Sequence, residues 1–159
     1  MYGKIISIEE IASKINLIKK KYANIVFTNG CFDLLHPGHL EYLDAAKALG
    51  DFLIIGVNSD SSVRILKGPN RPINNIGTRS TMLAGLQSVD LVIPFDEETP
   101  INLIKLISPN ILVKGGDYKV EEIAGSQYIL DQGGIVRLIK FKAGYSTTSL
   151  IDRIKNNPL

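Results

Sequence analysis

Two kinds of hydrophobic spacing alternate along this 159-residue chain. Near the start, Ile8, Ile11, Ile15 and Ile18 recur at intervals of three and four behind Ser7-Ile8-Glu9-Glu10, the pattern of an amphipathic helix opened by a capping box. From residue 25 the apolar positions come instead in short runs rich in β-branched side chains: Ile25 to Thr28, Phe52 to Val57, Leu91 to Ile93, Ile111 to Val113 and Ile135 to Ile139. Gly, Pro, Asn or Asp bounds each run, as suits strands covered on both faces. Between them lie segments of helical period: His39 to Leu49 ending at Gly50, Thr78 to Gln87, a Thr99-Pro100 start running to Ile107, and Ser126 to Gln132 ending at Gly133. A last helix is predicted after Ser146. Strand and helix in regular turn predict the α/β class, a doubly wound five-stranded parallel sheet with its ligand site beyond the carboxyl ends of the strands. The stretch from Leu66 to Gly77 follows neither period and reads as a long loop, functional or mobile.

Composition adds boundaries to that picture. One domain over residues 1–159, with a helix in residues 1–24 packed on it, suits the length. A formal net charge of +2 gives no basic excess of the kind that marks a nucleic-acid binder, so any anion site must be local. Lys19 to Lys21 read as a basic last helical turn rather than a membrane-surface patch, and no run of about 18 apolar residues offers a membrane span. The single cysteine, Cys31, makes neither a disulfide nor a cysteine-built zinc site and points to the cytoplasm.

The candidate chemistry follows the first strand, in Thr28-Asn29-Gly30-Cys31-Phe32-Asp33-Leu34-Leu35-His36-Pro37-Gly38-His39. Neither the G-x-G-x-x-G turn of dinucleotide binders nor a Walker A loop is present. Both of the chain's histidines stand here, around Pro37 and Gly38, where a strand hands over to a helix. At a helix N-terminus, unpaired N–H groups and the dipole attract anions, so His36 and His39 are placed to meet a phosphate. A zinc pair is the competing reading, without an evident third ligand. Cys31 has no assigned base and reads as a packed or ligand-lining residue rather than a nucleophile.

Gly30 to His39 resembles the signature of the cytidylyltransferase-like nucleotidyltransferases, whose H-x-G-H element is similar to that of class I aminoacyl-tRNA synthetases. Further segments resemble, in order, one subgroup: Asn58-Ser59-Asp60, Lys67-Gly68, Arg71-Pro72-Ile73-Asn74, Leu112 to Tyr118, Glu121 to Gly125 and Gly144-Tyr145-Ser146-Thr147-Thr148. That subgroup is the heptose 1-phosphate adenylyltransferases of lipopolysaccharide precursor synthesis, and the resemblance covers roughly residues 8 to 155. It implies a Rossmann-like sheet of order 3-2-1-4-5 and the transfer of AMP from ATP, with Mg²⁺, to a heptose 1-phosphate, releasing pyrophosphate. The phosphorylated acceptor would come from a separate sugar kinase, since the length leaves no room for the kinase some relatives carry. A homodimer is implied as well, with Val89-Asp90-Leu91-Val92 a candidate contact.

The resemblance also distributes roles. His36, His39 and Lys67 would be catalytic, stabilising crowded negative charge without a covalent intermediate. Asn29, Gly30, Cys31, Phe32 and Gly38 would line the nucleotide site from the first turn. Lys114, Gly115, Gly116 and Asp117 would pack the base and hold the ribose, while Tyr145, Ser146, Thr147 and Thr148 would offer a second helix N-terminus to the outer phosphates. Asp33 would face the acceptor or organise the turn, and Asn58, Asp60 and Arg71 would contact the acceptor; Lys67 and Arg71 are read as loop residues. No protein metal ligand is predicted. The chain departs from its relatives twice. Asn75 and Gly77 replace a Pro and a Glu ahead of the helical Arg79, and Phe141-Lys142-Ala143 replaces the Arg-Thr-Glu of the glycerol-phosphate and phosphocholine branches. The alternatives are a cytidylyltransferase acting on glycerol 3-phosphate or a phosphoamino-alcohol, and a nucleotide-binding subunit without catalysis.

Overall fold

The computed structural model describes residues 2–140 and 144–157. Phe141-Lys142-Ala143, the second departure, lies outside the described residues. Five parallel strands form one sheet: β1 (Ile25–Gly30), β2 (Phe52–Asn58), β3 (Leu91–Phe95), β4 (Ile111–Gly115) and β5 (Ile135–Ile139). Their order is β3-β2-β1-β4-β5, as expected. The helices are α1 (Ile8–Lys21), α2 (Pro37–Lys47), α3 (Asp60–Lys67), α4 (Ile76–Ala84), α5 (Ile101–Ile107), α6 (Ser126–Asp131) and α7 (Thr147–Asn156), with 3-10 turns at Tyr2–Lys4 and Val120–Glu122.

Strand alternation divides the core into two layers. Ile25, Phe27, Ile54, Ile93, Phe95 and Leu112 point to one face, where Ile11 and Ile15 of α1, Leu103, Ile104 and Ile107 of α5 and Ile129 of α6 cover them. Val26, Leu53, Ile55, Val57, Val92 and Val113 point to the other, under Leu43 and Ala46 of α2 and Leu83 and Ala84 of α4. Burying each such side chain contributes on the order of 2 kcal/mol, so the two layers fix the strand register. The N-terminal capping box forms as the spacing predicts, with Glu10 N–H donating to Ser7 Oγ at 3.2 Å and Ser7 N–H donating to Glu10 Oε2 at 3.0 Å.

Three expectations change. The loop read from Leu66 to Gly77 shrinks to residues 68–75. An unforeseen helix, α3, takes Leu66 and Lys67, and α4 begins at Ile76, behind Asn75, whose Oδ1 accepts from Thr78 N–H at 2.9 Å. Asn75 thereby makes the helix entry that the sequence departure had altered. The stretch Val89 to Val92 has little surface for a second copy, because Val89 and Val92 are fully buried, Leu91 nearly so, and the Asp90 carboxylate is occupied by Lys47 Nζ and Leu53 N–H.

Candidate active site

The strand order reverses between β1 and β4. There the two strands pair only at Val26 with Ile111 and Phe27 with Leu112, whereas β1 and β2 stay in register over six residues. Beyond that point a cleft of about 630 Å³ opens at the carboxyl ends of the strands. Its floor includes Asn29 and Gly30 from β1, Asn58 from β2, and Lys114 and Gly115 from β4. Lys114 spans the split, its Nζ donating to Asn29 Oδ1 at 3.1 Å and to Asn29 O at 3.4 Å. Burial holds that ammonium below the usual lysine range, against an opposing pull from Cys31 and with a smaller push in the same direction from Lys67.

His36 is the N-cap of α2, with Pro37 in the first turn. Its Nδ1 accepts from His39 N–H at 3.3 Å, which leaves Nε2 to carry the proton of the neutral ring. The two imidazoles stack with centroids 3.8 Å apart and planes 20° apart. Gly38 makes room for this, since a Cβ there would lie 3.1 Å from His36 Nδ1 and 3.2 Å from its Cε1. Phe32 sits in the left-handed region at φ 47°, a conformation unusual for an aromatic residue, and packs its ring 5.5 Å from that of His39. Desolvation first, then the His36 ring, push His39 down to about 4. Its Nδ1 is buried with no hydrogen-bond partner among the described residues, so protonating that atom would orphan a donor. His36 is lowered too, chiefly by desolvation. Both rings are therefore neutral near pH 7.

A second wall comes from α3 and residues 68–75. The Asp33 side chain is fully enclosed and accepts from Arg71 Nε at 2.6 Å, Ile73 N–H at 2.8 Å and Asn74 N–H at 2.9 Å. Burial pushes this carboxyl up, but the two backbone donors and the guanidinium outweigh it and hold it below the ordinary range. Its oxygens are thus engaged within the protein, the turn-organising half of what the sequence suggested. Lys67 is the last residue of α3, not a loop residue, because Ser59 caps that helix and Gly68, at φ 96°, ends it.

The cleft brings together Asn29, Gly30, Cys31, Phe32, Asp33, His39, Asn58, Lys67, Arg71, Lys114, Gly115, Thr147 and Thr148 of the sequence-predicted residues. His36, Gly38 and Tyr145 stand behind its rim as the stack on His39, with Tyr145 centred 6.3 Å from His36. Gly116, Asp117 and Ser146 lie outside the lining, Ser146 serving as the N-cap of α7. Asp60 lies outside too, with Oδ1 bound to Arg79 Nη2 at 2.8 Å. Sequence reasoning missed Tyr42, Leu66, Glu98, Thr99, Pro100, Tyr118, Glu122, Ile123 and Ala124. The Thr99-Pro100 helix start and the Glu121 to Gly125 segment were visible as motifs, but nothing local says that they face the cleft. Burial holds the Cys31 thiol above its ordinary range despite the cations around it, so it is no activated nucleophile. Among the described residues no group of three or more His, Cys, Asp or Glu side chains could hold a metal ion.

A parallel sheet of this order, with glycines, neutral imidazoles and a helix N-terminus at its switch point, defines a nucleotide-binding α/β domain of the Rossmann-like kind. The family model for cytidylyltransferase-like proteins matches residues 27–153, and the chain belongs to that family. It is 53% identical over 151 residues to the bifunctional protein HldE of Actinobacillus pleuropneumoniae serotype 5b (strain L20), and 54% identical over 151 residues to HldE of Haemophilus influenzae (strain PittGG). These matches cover 95% of this chain and 32% of each relative, so the chain spans about a third of the length of the curated relatives it matches. A crystal structure of the lipopolysaccharide core biosynthesis protein from Thermoplasma volcanium GSS1 superposes with a TM-score of 0.62 at 30% identity, covering 75% of this chain and 96% of that one. A pantoate-β-alanine ligase from Francisella tularensis, with a TM-score of 0.58 at 17% identity over 97% of this chain and 73% of that one, shares the fold alone.

Proposed function

We propose that this protein transfers AMP from ATP to a heptose 1-phosphate, giving ADP-heptose and pyrophosphate for surface-glycan precursors. The single observation that carries the reading is His39, stacked on His36 at the start of α2, lining one cleft with Lys67 and Lys114 at the sheet's switch point. The subgroup motifs and the identity of over 50% to the two HldE proteins narrow the family reading to this acceptor.

On this reading the triphosphate lies along the N-terminus of α2, where backbone N–H groups and the imidazole Nε2–H groups donate to it. An oxygen of the sugar phosphate attacks the α-phosphorus in line. One P–O bond forms to the sugar phosphate, the bond to the β-phosphate oxygen breaks, and that oxygen leaves on pyrophosphate. Lys67 and Lys114 offset the charge that accumulates. Thr147 and Thr148, at the start of α7, receive the outer phosphates, and Gly115, Tyr118, Glu122, Ile123 and Ala124 enclose base and ribose. Arg71, Asn58 and Asp33 form the acceptor wall, Asp33 by organising Arg71 rather than by direct contact. Mg²⁺ enters with the nucleotide, held by its phosphates as substrate.

The site is assigned to a cytoplasmic protein that pairs with a second copy and takes an acceptor made by a sugar kinase activity. No helix among the described residues is long and apolar enough to cross a membrane.

The test is pyrophosphate release with ATP or CTP against heptose 1-phosphate, glycerol 3-phosphate and phosphoamino-alcohols. Release with ATP and heptose 1-phosphate is expected. Turnover only with CTP and glycerol 3-phosphate would transfer the assignment to that branch, and no turnover with nucleotide bound would make the protein a binding subunit. Sedimentation at working concentrations reads the pairing, which a pure monomer would refute.

A further inference from the structure

Arg79 is the bulkiest of the fully enclosed side chains, about 1% exposed, and it is not part of the cleft lining. A guanidinium stays charged at any ordinary pH, so enclosing one in an apolar layer requires partners for its N–H groups. Arg79 finds them on three separate pieces of chain. Nε donates to Asn74 O at 3.0 Å, Nη1 to Cys31 O at 2.6 Å and Nη2 to Asp60 Oδ1 at 2.8 Å.

Those three acceptors belong to three of the segments that contribute residues to the cleft. Cys31 opens the turn that leads to His36 and His39. Asp60 is the first residue of α3, and Lys67 is its last. Asn74 ends the segment whose Ile73 and Asn74 N–H groups hold Asp33, and Asn74 Nδ2 returns to Asp33 O at 3.0 Å. One planar fork thus ties the histidine turn, the lysine-bearing helix and the acceptor wall to α4. Packing alone does not call for an arginine here, since Leu83 and Ala84 of the same helix meet the core with apolar groups.

We propose that Arg79 is a positioning residue for nucleotidyl transfer, fixing the placement of Lys67 across the cleft from the histidine pair by clamping Asp60 and the Cys31 turn together. The inference rests on the transferase reading above and deepens it. Asp60 becomes the anchor of the clamp rather than an acceptor contact. A lysine in place of Arg79 keeps the charge but cannot supply three donors in one plane.

The experiment is a double-mutant cycle of Arg79→Lys with Lys67→Ala, read by steady-state kinetics, ATP affinity from calorimetry and thermal unfolding. Misplacement of a reacting group by about 1 Å costs about 100-fold, so kcat of Arg79→Lys should fall by about that factor and ATP affinity by less than about tenfold. In the Lys67→Ala background the same substitution should lower kcat by no more than about twofold, because the group being positioned is gone. Full multiplication of the two losses, or wild-type turnover of Arg79→Lys, overturns the proposal. If Arg79→Lys does not fold, Asp60→Asn replaces it in the cycle, with a loss of roughly tenfold that Lys67→Ala should likewise absorb. Should the wild type bind ATP yet turn over no sugar phosphate, the acceptor assignment fails separately, and the cycle in ATP affinity still decides whether Arg79 acts through Lys67.

Discussion

The neutral state of His39 has a measurable thermodynamic consequence. Its pKa is about 4 in the folded protein against an ordinary value of 6.5, so the unfolded chain binds more protons between those values. The stability this contributes is complete above pH 6.5 and is lost as pH falls toward 4. From about pH 7.5 to about pH 5 the linkage relation gives about 2 kcal/mol, reduced to about 1–2 kcal/mol by water at the ring's open edge. The chain has only two histidines, so few side chains titrate in this window. Urea unfolding of wild type and His39→Gln at both pH values isolates the contribution, and the substituted protein should lose about 1–2 kcal/mol less on acidification. Equal losses in both proteins would refute desolvation of the His39 ring as the cause. Phosphate reverses the preference, because an anion beside the stack favours the imidazolium. ATP binding near pH 6 should accordingly take up protons, read from calorimetry in buffers of different ionisation enthalpy, and His39→Gln should diminish the uptake.

Three further substitutions test other parts of the site. Asp33→Ala strands the Arg71 guanidinium and two backbone N–H groups, and should lower the stability measured in urea by about 3–5 kcal/mol, with Asp33→Asn losing less because one oxygen still accepts. An unchanged midpoint would show that water replaces the carboxylate. Lys114→Met should weaken ATP binding by about tenfold or more while leaving the melting temperature unchanged or higher, since a buried ammonium that loses its charge penalty stabilises the fold. Gly38→Ala should keep the protein folded yet reduce kcat by about 10- to 100-fold, because the new Cβ would force the His36 ring away from its stack.

The sheet was legible because each strand is a local signal. Ile135 to Ile139 is found with its bounds unchanged, and β1 to β4 extend the predicted runs by one or two residues. The extensions of β1, β2 and β4, namely Asn29-Gly30, Asn58 and Lys114-Gly115, are polar or glycine residues that keep strand geometry because a paired neighbour holds them, whereas β3 gains Pro94 and the buried Phe95. The helix α3 escaped for the opposite reason. It is only eight residues long, and its apolar side is just Val63 and Leu66 with Ile65 left 64% exposed, too short a run to show a helical period. Its ends were nonetheless written in the sequence, as Ser59 before it and Gly68 after it.

The site divides along the same line. The histidine turn is one contiguous motif and could be read directly, whereas the pairing of Asp33 with Arg71 and of Asp60 with Arg79 joins residues 38 and 19 positions apart. Those pairs alter the meaning of a nearly neutral chain with five expected cations in one cleft. Arg71 has its charge matched by Asp33, Lys114 is lowered by burial, and both histidines are neutral. The cleft is therefore less positive than a count of its basic residues suggests. On the proposed reading, a triphosphate would restore part of that charge where it lies, by favouring protonation of the two histidines. The electrostatic attraction is in this way tied to the ligand's own position in the cleft, and it does not require the strongly basic surface that a nucleic-acid binder would carry.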